Sequence, residues 1–184
     1  MVRRLFVSIP ISKVFQESFD RYKDLYSLKG IRWVPKENFH VTLHFIGGID
    51  EEGIASIVDS LREIALEMRP FHLVFSEVHF APPGKIKRMV WGEFEKSDSF
   101  QYLVHRISSA LDSSYDPVIK RIPIPHVTLA RIKNSKKIKG LELSQPDLEN
   151  KTLDIISFDL QESQLNPEGT RYILLKSFPF GSHS

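Results

Sequence analysis

The sequence predicts an α+β fold with two similar lobes of mostly antiparallel sheet, outer helices and a central groove. Three observations predict it. Segments with strand and helix periodicity follow the order strand-helix-strand-strand-helix, then strand-strand-helix-strand, and two strands close the chain. The tetrapeptide His-Val-Thr-Leu occurs at 40–43 and again at 126–129, 86 residues further on. The chain has 184 residues, of which 41% are hydrophobic and 26% charged, so it can bury a proper core.

Residues 1–184 are expected to form a single bilobal domain with an internal junction near residue 70. Pro70 follows the first set of elements, and a similar set starts directly after it. The residues around this junction do not have the composition of a flexible linker. We therefore expect two lobes that share one structure.

The first half predicts three strands and two amphipathic helices. The expected strands are 4–9, 31–34 and 40–45, with a turn at 35–38 and Gly47-Gly48 ending the third strand. One helix is expected from an N-cap at Ser12 to about Tyr26, and another from an N-cap at Asp50 to Pro70. Apolar residues recur at helical spacing in both, which gives each helix a face to bury.

The second half predicts a hairpin, a helix, a further strand and a closing hairpin. The expected strands are 71–80, 87–94, 126–132, 152–162 and 171–178, and the expected helix is 98–113. Pro and Gly residues mark the two hairpin turns, at 82–84 and 166–169. The second turn is expected only to close its hairpin. The Lys-rich segment 133–140 is interpreted as a solvated loop that could also touch an RNA backbone.

Each His-Val-Thr-Leu copy offers one imidazole and one hydroxyl on the same face of a strand. Side chains alternate along a strand, so His40 and Thr42 share one face, about 7 Å apart at Cα. The opposite face, toward the core, is expected to hold Val41, Leu43 and Phe45. The first copy is thus expected to be a half-buried strand with a polar face.

The second copy repeats this arrangement with His126 and Thr128. Two such strands facing one groove would present two His and two Thr around one small group. A phosphodiester fits that set, because in-line displacement at phosphorus needs a base for the water and an acid for the leaving oxygen. Histidine, with an unperturbed pKa near ~6.5, supplies either role, and threonine hydroxyls can donate to the non-bridging oxygens. This chemistry requires no metal and no other cofactor.

Two other interpretations stay open on the residues alone. His40 and His44 are four residues apart, a spacing that brings two zinc ligands together on a helix. On a strand the same spacing separates them by about 13 Å, which argues against a shared ion. Alternatively, each His is hydrogen-bonded inside the core of a buried strand. The repeat of the motif in equivalent positions of both halves favours a shared site over that alternative.

These motifs and their flanks resemble a known family. Two His-x-Thr-x motifs, in two halves of a chain near this size, resemble the two-histidine (2H) phosphoesterase superfamily. Within it the sequence is similar to the RNA 2',3'-cyclic phosphodiesterases, also called 2'-5' RNA ligases. The segments that carry the resemblance are RLFVSIPI, RWVPKENFHVTLHFIGGI, PHVTLARI and ESQLNPEGTRYILL.

The resemblance implies metal-independent opening of a terminal RNA 2',3'-cyclic phosphate to a 2'-phosphate, in a groove between two lobes. By the family's pattern, His40 would be the proton donor to the departing 3' oxygen and His126 the proton acceptor from water. Thr42 and Thr128 would hold the phosphate. The implied partner is RNA with a cyclic phosphate end, including tRNA halves. The alternatives are a 2'-5' ligase joining tRNA halves by the reverse reaction and a non-catalytic RNA-end binding module.

Two positions near the motifs need separate treatment. Arg131 follows the second motif as in the family and could contact the phosphate. Strict alternation from His126 places it on the opposite face, so it would need a bulge or the strand end to reach the groove. His44 stands where similar sequences would carry a Lys, which weakens any claim of fixed positive charge there.

Composition and the N-terminal segment exclude several classes. The net charge of +2 is too small for a general nucleic-acid binder, and the absence of cysteine rules out disulfides and Cys-bound metals. MVRRLFVSIPISKVF has no continuous apolar core of a signal peptide, and no run reaches the ~20 apolar residues of a membrane span. A cytoplasmic monomer that does not bind membranes is expected.

Overall fold

The structure is a computed structural model that describes residues 2–26, 30–82, 84, 86–111, 123–133, 138, 140–148, 151–167 and 169–181. Its α-helices are α1 (Lys13–Asp20), α2 (Tyr22–Leu25), α3 (Ile54–Glu67) and α4 (Asp98–Leu111). Its strands are β1 (Val2–Pro10), β2 (Ile31–Trp33), β3 (His40–Asp50), β4 (Phe71–Ala81), β5 (Met89–Phe94), β6 (His126–Ile132), β7 (Thr152–Ile155), β8 (Ser157–Asn166) and β9 (Gly169–Pro179). Short 3-10 helices at Lys36–Asn38 and Glu51–Gly53 complete the described elements.

One nine-stranded sheet runs through the molecule in the order β7-β4-β5-β6-β3-β1-β8-β9, with β2 paired to β6. The described strand pairs are antiparallel. The two strands that carry the His-Val-Thr-Leu copies, β3 and β6, are neighbours at the centre, with three strands beyond each of them. The predicted α+β fold with antiparallel lobes and helices is confirmed.

The helices connect the two sides of the sheet. Phe15 and Phe19 of α1 place their rings 5.5–6.2 Å from those of Phe75 and Phe94, on the strands β4 and β5 of the other side. On the opposite side of the sheet, α4 packs on β3 and α3 packs on β8 and β9. The buried apolar residues of both sides form one continuous cluster. Burial of apolar surface therefore couples the two sides directly.

The prediction that Gly47-Gly48 ends the first motif's strand is wrong. β3 continues to Asp50, because β-bulges in its pairing with β1 absorb the extra residues between Leu5 and Ser8. Gly47, next to one bulge, has a φ of 91°, a backbone conformation that glycine adopts at little cost. Asp50 is also not the cap of α3: its side chain makes no capping hydrogen bond, and the 3-10 helix Glu51–Gly53 intervenes.

Other predicted boundaries shift for reasons of pairing. The helix expected from Ser12 to Tyr26 begins after that N-cap but is interrupted at Arg21, giving α1 and α2. The strand expected at 152–162 divides at Ile156, because β7 pairs with β4 whereas β8 pairs with β1 and β9. The predicted hairpins β4–β5 and β8–β9 are confirmed. Residues 112–113 of the predicted α4 and residues 134–137 and 139 of the Lys-rich segment lie outside the described residues.

Over the described residues, we find no helix with both the length and the apolar character needed to cross a membrane.

Candidate active site

The two motifs lie side by side. Val41 of β3 pairs with Val127 of β6 in antiparallel register. Extending that register by one residue on either side places His40 opposite Thr128 and Thr42 opposite His126. Residues opposite one another in an antiparallel pair share a face and have Cα atoms about 4.5–5.5 Å apart. Each histidine is therefore next to the threonine of the other motif.

His40 is held at both ring nitrogens. Nδ1 donates to the carbonyl oxygen of Asn38 at 2.8 Å, and Nε2 lies 3.0 Å from the hydroxyl oxygen of Thr42. Because Nδ1 carries the hydrogen, Nε2 of the neutral ring accepts from the Thr42 hydroxyl. The rings of Phe6 and Tyr172 lie 5.1 Å from the imidazole, ring centre to ring centre. These contacts fix the orientation of His40 and keep solvent from most of it.

His126 has the same backbone contact and a different neighbour. Its Nδ1 donates to the carbonyl oxygen of Ile124 at 2.8 Å, which is again the residue two positions earlier. The neutral ring therefore carries its lone pair on Nε2. The indole of Trp91 stacks on this imidazole with ring centres 3.8 Å apart and 22° between the planes. Strand β5 thus supplies a flat support for the second histidine.

Both histidines favour the neutral form. The pKa of His40 is lowered from 6.5 to about 4, mainly by burial and also by the charges of His126 and Arg131, while the hydrogen bond to Asn38 partly opposes the shift. The pKa of His126 is also lowered, mainly by burial, whereas its hydrogen bond to Ile124 and the nearby carboxylate of Glu93 raise it. The two rings therefore differ in their surroundings although their motifs are identical.

A β-bulge brings Arg131 to the groove. In the pairing of β5 with β6, Val90 is opposite Ala130 and Trp91 is opposite Thr128, so Leu129 has no direct partner. Leu129 and Ala130 are consecutively buried, and the alternation is reversed beyond them. Arg131 consequently lines the same groove as Thr128. Strict alternation does not hold here, and the bulge required for Arg131 is present.

A second bulge turns Phe45 outward, so the prediction that Phe45 lies in the core is wrong. Leu43 is the extra residue between the pairs Val7–His44 and Ser8–Thr42. Val41 and Leu43 are buried as predicted, but Phe45 is 75% exposed and lines the groove. His44 also lines the groove, and its Nδ1 lies 3.1 Å from the hydroxyl oxygen of Ser108 on α4.

The groove is larger than the two motifs. Its volume is about 920 Å³, and His40, Thr42, His126 and Thr128 line it together with Arg131. Sequence reasoning missed Arg32, Arg171 and Tyr172, which also line it. The turn that was expected only to close a hairpin contributes Asn166 and Gly169 to the wall. The pairing of β8 with β9 brings Arg171, Tyr172 and the turn to the site, and the pairing of β2 with β6 brings Arg32; the sequence shows neither pairing.

Among the residues that the structure describes, no group of three or more His, Cys, Asp or Glu side chains is arranged to hold a metal ion. His40 and His44 make their contacts with different partners, Asn38 and Thr42 for the former and Ser108 for the latter. The site therefore offers imidazole, hydroxyl and guanidinium groups, a set suited to binding an anion and moving protons.

Comparison with known proteins identifies the class. The family model described as "LigT like Phosphoesterase" matches residues 7–91, which include the first motif. The RNA 2',3'-cyclic phosphodiesterase of Methanocaldococcus jannaschii is 26% identical over 181 residues, covering 95% of this chain and 99% of that relative. The protein of the same name from Aeropyrum pernix is 30% identical over 164 residues, covering 83% and 89% of the two chains.

The fold agrees with these matches. The crystal structure of E. coli LigT complexed with 3'-AMP superposes with a TM-score of 0.77 at 22% identity, over 99% of this chain and 100% of that one. The chain belongs to the LigT-like phosphoesterase family, within the 2H phosphoesterase superfamily.

Proposed function

We propose that this chain hydrolyses the terminal 2',3'-cyclic phosphate of RNA to a 2'-phosphate. The observation that carries the proposal is the pairing of Val41 with Val127, which gives two His-Thr pairs to one groove. The curated relatives support it through their names, RNA 2',3'-cyclic phosphodiesterase. The crystal structure of E. coli LigT, which has the same fold, is a complex with 3'-AMP and so supports a nucleotide as the ligand.

The proposed reaction is a displacement at phosphorus with two proton transfers. Nε2 of His126 accepts a proton from water while the water oxygen bonds to phosphorus. The bond between phosphorus and the 3' oxygen breaks, and Nε2 of His40 gives its proton to that oxygen. The products are a 2'-phosphate and a free 3' hydroxyl. In both rings Nδ1 is bonded to a backbone carbonyl, which leaves Nε2 as the reacting nitrogen.

Thr42, Thr128 and Arg131 are proposed to hold the phosphate. All three line the groove beside the histidines. The hydroxyls can donate to the non-bridging oxygens, and the guanidinium can donate two parallel hydrogen bonds to them. The two hydroxyls are half-buried, so they are screened less than in water and act most strongly where charge collects during the displacement.

The substrate itself is proposed to charge the proton donor. With a pKa of about 4, His40 is neutral at pH 7 in the protein alone. An anionic phosphate at the groove favours the imidazolium, because an opposite charge within about 4–6 Å raises a histidine pKa. The neutral His126 is already the form that a base requires. Substrate binding would therefore produce one acid and one base from two similar rings.

The RNA partners proposed for this site are ends that carry a cyclic phosphate, including those of tRNA halves. We also propose that the chain acts as a monomer in the cytoplasm. Both histidines come from one chain, so the groove needs no residue from a second copy.

Product analysis tests the proposal. An oligonucleotide with a 2',3'-cyclic end is incubated with the protein in EDTA, and the products are separated by chromatography against 2'- and 3'-phosphate standards. A 2'-phosphate is expected from the wild type, and His40→Ala and His126→Ala should each lose nearly all turnover. Formation of a 3'-phosphate would contradict the roles given to the histidines. Binding of the cyclic end without turnover would identify a binding module instead.

A further inference from the structure

A second group of side chains lies directly beside His126, on strands β4 and β5. Glu93 is opposite His126 in the pairing of β5 with β6, and His79 is opposite Trp91 in the pairing of β4 with β5. Opposite residues in antiparallel strands share a face, with Cβ atoms about 4.5–5.5 Å apart. His79, Trp91 and Glu93 therefore share the face of the sheet that carries His126.

The contacts within this group are specific. Nε2 of His79 and Oε2 of Glu93 are 2.8 Å apart, and each side chain is 23% exposed. The His79 ring also meets the Trp91 indole edge-on, at 6.1 Å between centres and 87° between planes. Trp91 in turn stacks on His126. The indole thus separates His79 from His126, while the Glu93 carboxylate lies on the strand next to His126.

We propose that Glu93, held in place by His79, stabilises the imidazolium that forms when His126 takes a proton from water. This inference rests on the proposed function of the groove. In it Glu93 is a positioning and electrostatic residue that does not touch substrate, and His79 limits its effect. A protonated His79 neutralises part of the Glu93 charge, so the pair would set how strongly His126 binds its proton.

The charges around the two histidines differ, and only His126 has a carboxylate among the charges of the described residues that act on its pKa. Within the described part of the chain, the ionisable groups on the face or in the groove of His126 include Glu77 and His79 from β4, Glu93 from β5, Arg131 from its own strand and His40 from β3. Glu93 raises the pKa of His126 and His79 lowers it. The charges that act on the pKa of His40 are instead those of His126 and Arg131, and both lower it. A carboxylate on only one side is consistent with the base, and not the acid, becoming charged during the displacement.

Proton titration of the protein without substrate tests the inference. The Cε1–H signal of His126 is followed by NMR from pH 4 to 9 and assigned with His126→Asn. In Glu93→Gln the pKa of His126 should fall, by on the order of 0.5 to 1 unit. In His79→Gln it should rise, because the contribution of His79 that lowers the pKa of His126 has been removed. Glu63→Gln is the matched control, since it removes one carboxylate from the exposed side of α3.

Opposite shifts in the two variants, with little shift in the control, would support the pair. A Glu93→Gln shift no larger than that of Glu63→Gln would overturn the proposal, and so would shifts of the same sign in both variants. Because the titration needs no turnover, it gives an answer even where the cyclic phosphate is not opened, an outcome that defeats only the proposed function.

Kinetics provide the second readout. If His126 is the base, kcat rises with pH as its ring loses its proton in the substrate complex, where the bound phosphate keeps His40 protonated. The acidic limb of the profile should therefore move to lower pH in Glu93→Gln and to higher pH in His79→Gln. The maximal rate of Glu93→Gln should also fall, because a weaker base takes a proton less readily. A uniform loss of rate with an unmoved acidic limb would indicate a structural role alone and would contradict the proposal.

Discussion

The Nε2 atom of His40 lies 3.0 Å from the hydroxyl oxygen of Thr42, two residues further along β3. The proposed acid and a proposed phosphate ligand are therefore bonded to each other. While Nε2 is neutral it accepts the hydroxyl hydrogen. Once Nε2 is protonated it becomes a donor, and the Thr42 hydrogen is released for another acceptor. Protonation of His40 and delivery of a hydrogen bond to the phosphate are thus linked.

This link predicts different outcomes for two substitutions of Thr42. Thr42→Val keeps the shape and removes the hydroxyl, and kcat should fall by about 10²-fold, as it does when one donor to a developing oxyanion is lost. Thr42→Ser keeps the hydroxyl and should retain most of the rate. Steady-state kinetics on a cyclic-phosphate oligonucleotide separate kcat from KM. Thr152→Val, on the exposed part of β7, is the control. A Thr42→Val enzyme within threefold of wild type would disprove the link.

The lowered pKa of His40 predicts how stability depends on pH. This pKa falls from 6.5 to about 4, mainly because of burial, so between these values the unfolded chain binds more protons than the folded one. The free energy of unfolding should therefore be highest above pH 6.5 and should decrease as the pH drops toward 4. The loss from His40 is on the order of 2 to 3 kcal/mol, and the lowered pKa of His126 acts in the same direction.

Urea unfolding of wild type and His40→Gln at pH 4.5 and 7.5 measures this dependence. The variant has no imidazole to charge and should lose less stability between the two pH values. His72→Gln removes an exposed histidine of β4 and should keep the wild-type dependence. Equal pH dependence in all three proteins would show that His40 does not carry the effect.

The sequence predicts the motif better than it predicts the groove. Alternation along a strand correctly orients His40, Val41, Thr42 and Leu43. It fails at Phe45, where a bulge reverses the faces, because bulges depend on pairing with β1 and leave no local signal.

Long-range pairing explains the other gaps. The adjacency of β3 and β6 and the stacking of Trp91 on His126 are tertiary contacts, which depend on residues far apart in the sequence. The repetition of the motif predicted a shared groove. The other residues that line or support the groove are not part of a repeat, so the sequence contains no signal for them. Arg32, Arg171 and Tyr172 reach the groove through the pairings of β2 and β9, which are decided by packing of the whole sheet.

The arginines of the groove predict a preference for longer RNA. Arg32 lies against the β8–β9 turn, since its Nη2 is 2.8 Å from where a Cβ on Gly169 would be, and both residues line the groove with Arg171. A volume of about 920 Å³ is near the upper end of small-molecule sites, which leaves room beyond one nucleotide. We expect Arg32 to contact a backbone phosphate upstream of the cyclic end.

Arg32→Gln should therefore reduce kcat/KM for a cyclic-phosphate oligonucleotide several-fold and leave a cyclic mononucleotide almost unaffected. The slope of log kcat/KM against log salt should become shallower by about 0.7 for the oligonucleotide, as expected for one lost phosphate contact on a single strand. Arg62→Gln, which removes an exposed cation of α3 paired with Asp59, is the control. Equal losses on both substrates would place Arg32 at the terminal nucleotide instead.

The contact between Phe19 and Gly92 tests our proposal that residues 1–184 unfold as one domain. Phe19 belongs to α1 and Gly92 to β5, so they lie on opposite sides of the expected junction near residue 70. A Cβ on Gly92 would be 2.7 Å from Cζ of Phe19, too close to be accommodated without a shift. Gly92→Ala should lower the free energy of unfolding by about 1–3 kcal/mol through overpacking.

In a single domain that loss affects the whole molecule. Urea unfolding of Gly92→Ala, followed by far-UV circular dichroism and by tryptophan fluorescence, should give one coincident transition at a lower midpoint. The double variant Phe19→Leu/Gly92→Ala should lose less stability than the sum of the single variants, because the smaller side chain makes room for the added methyl group. A single transition is expected because the cluster that spans both sides cannot come apart in halves without exposing the Phe19 contact. Two separate transitions, with only one displaced by Gly92→Ala, would contradict this and show that the lobes unfold independently.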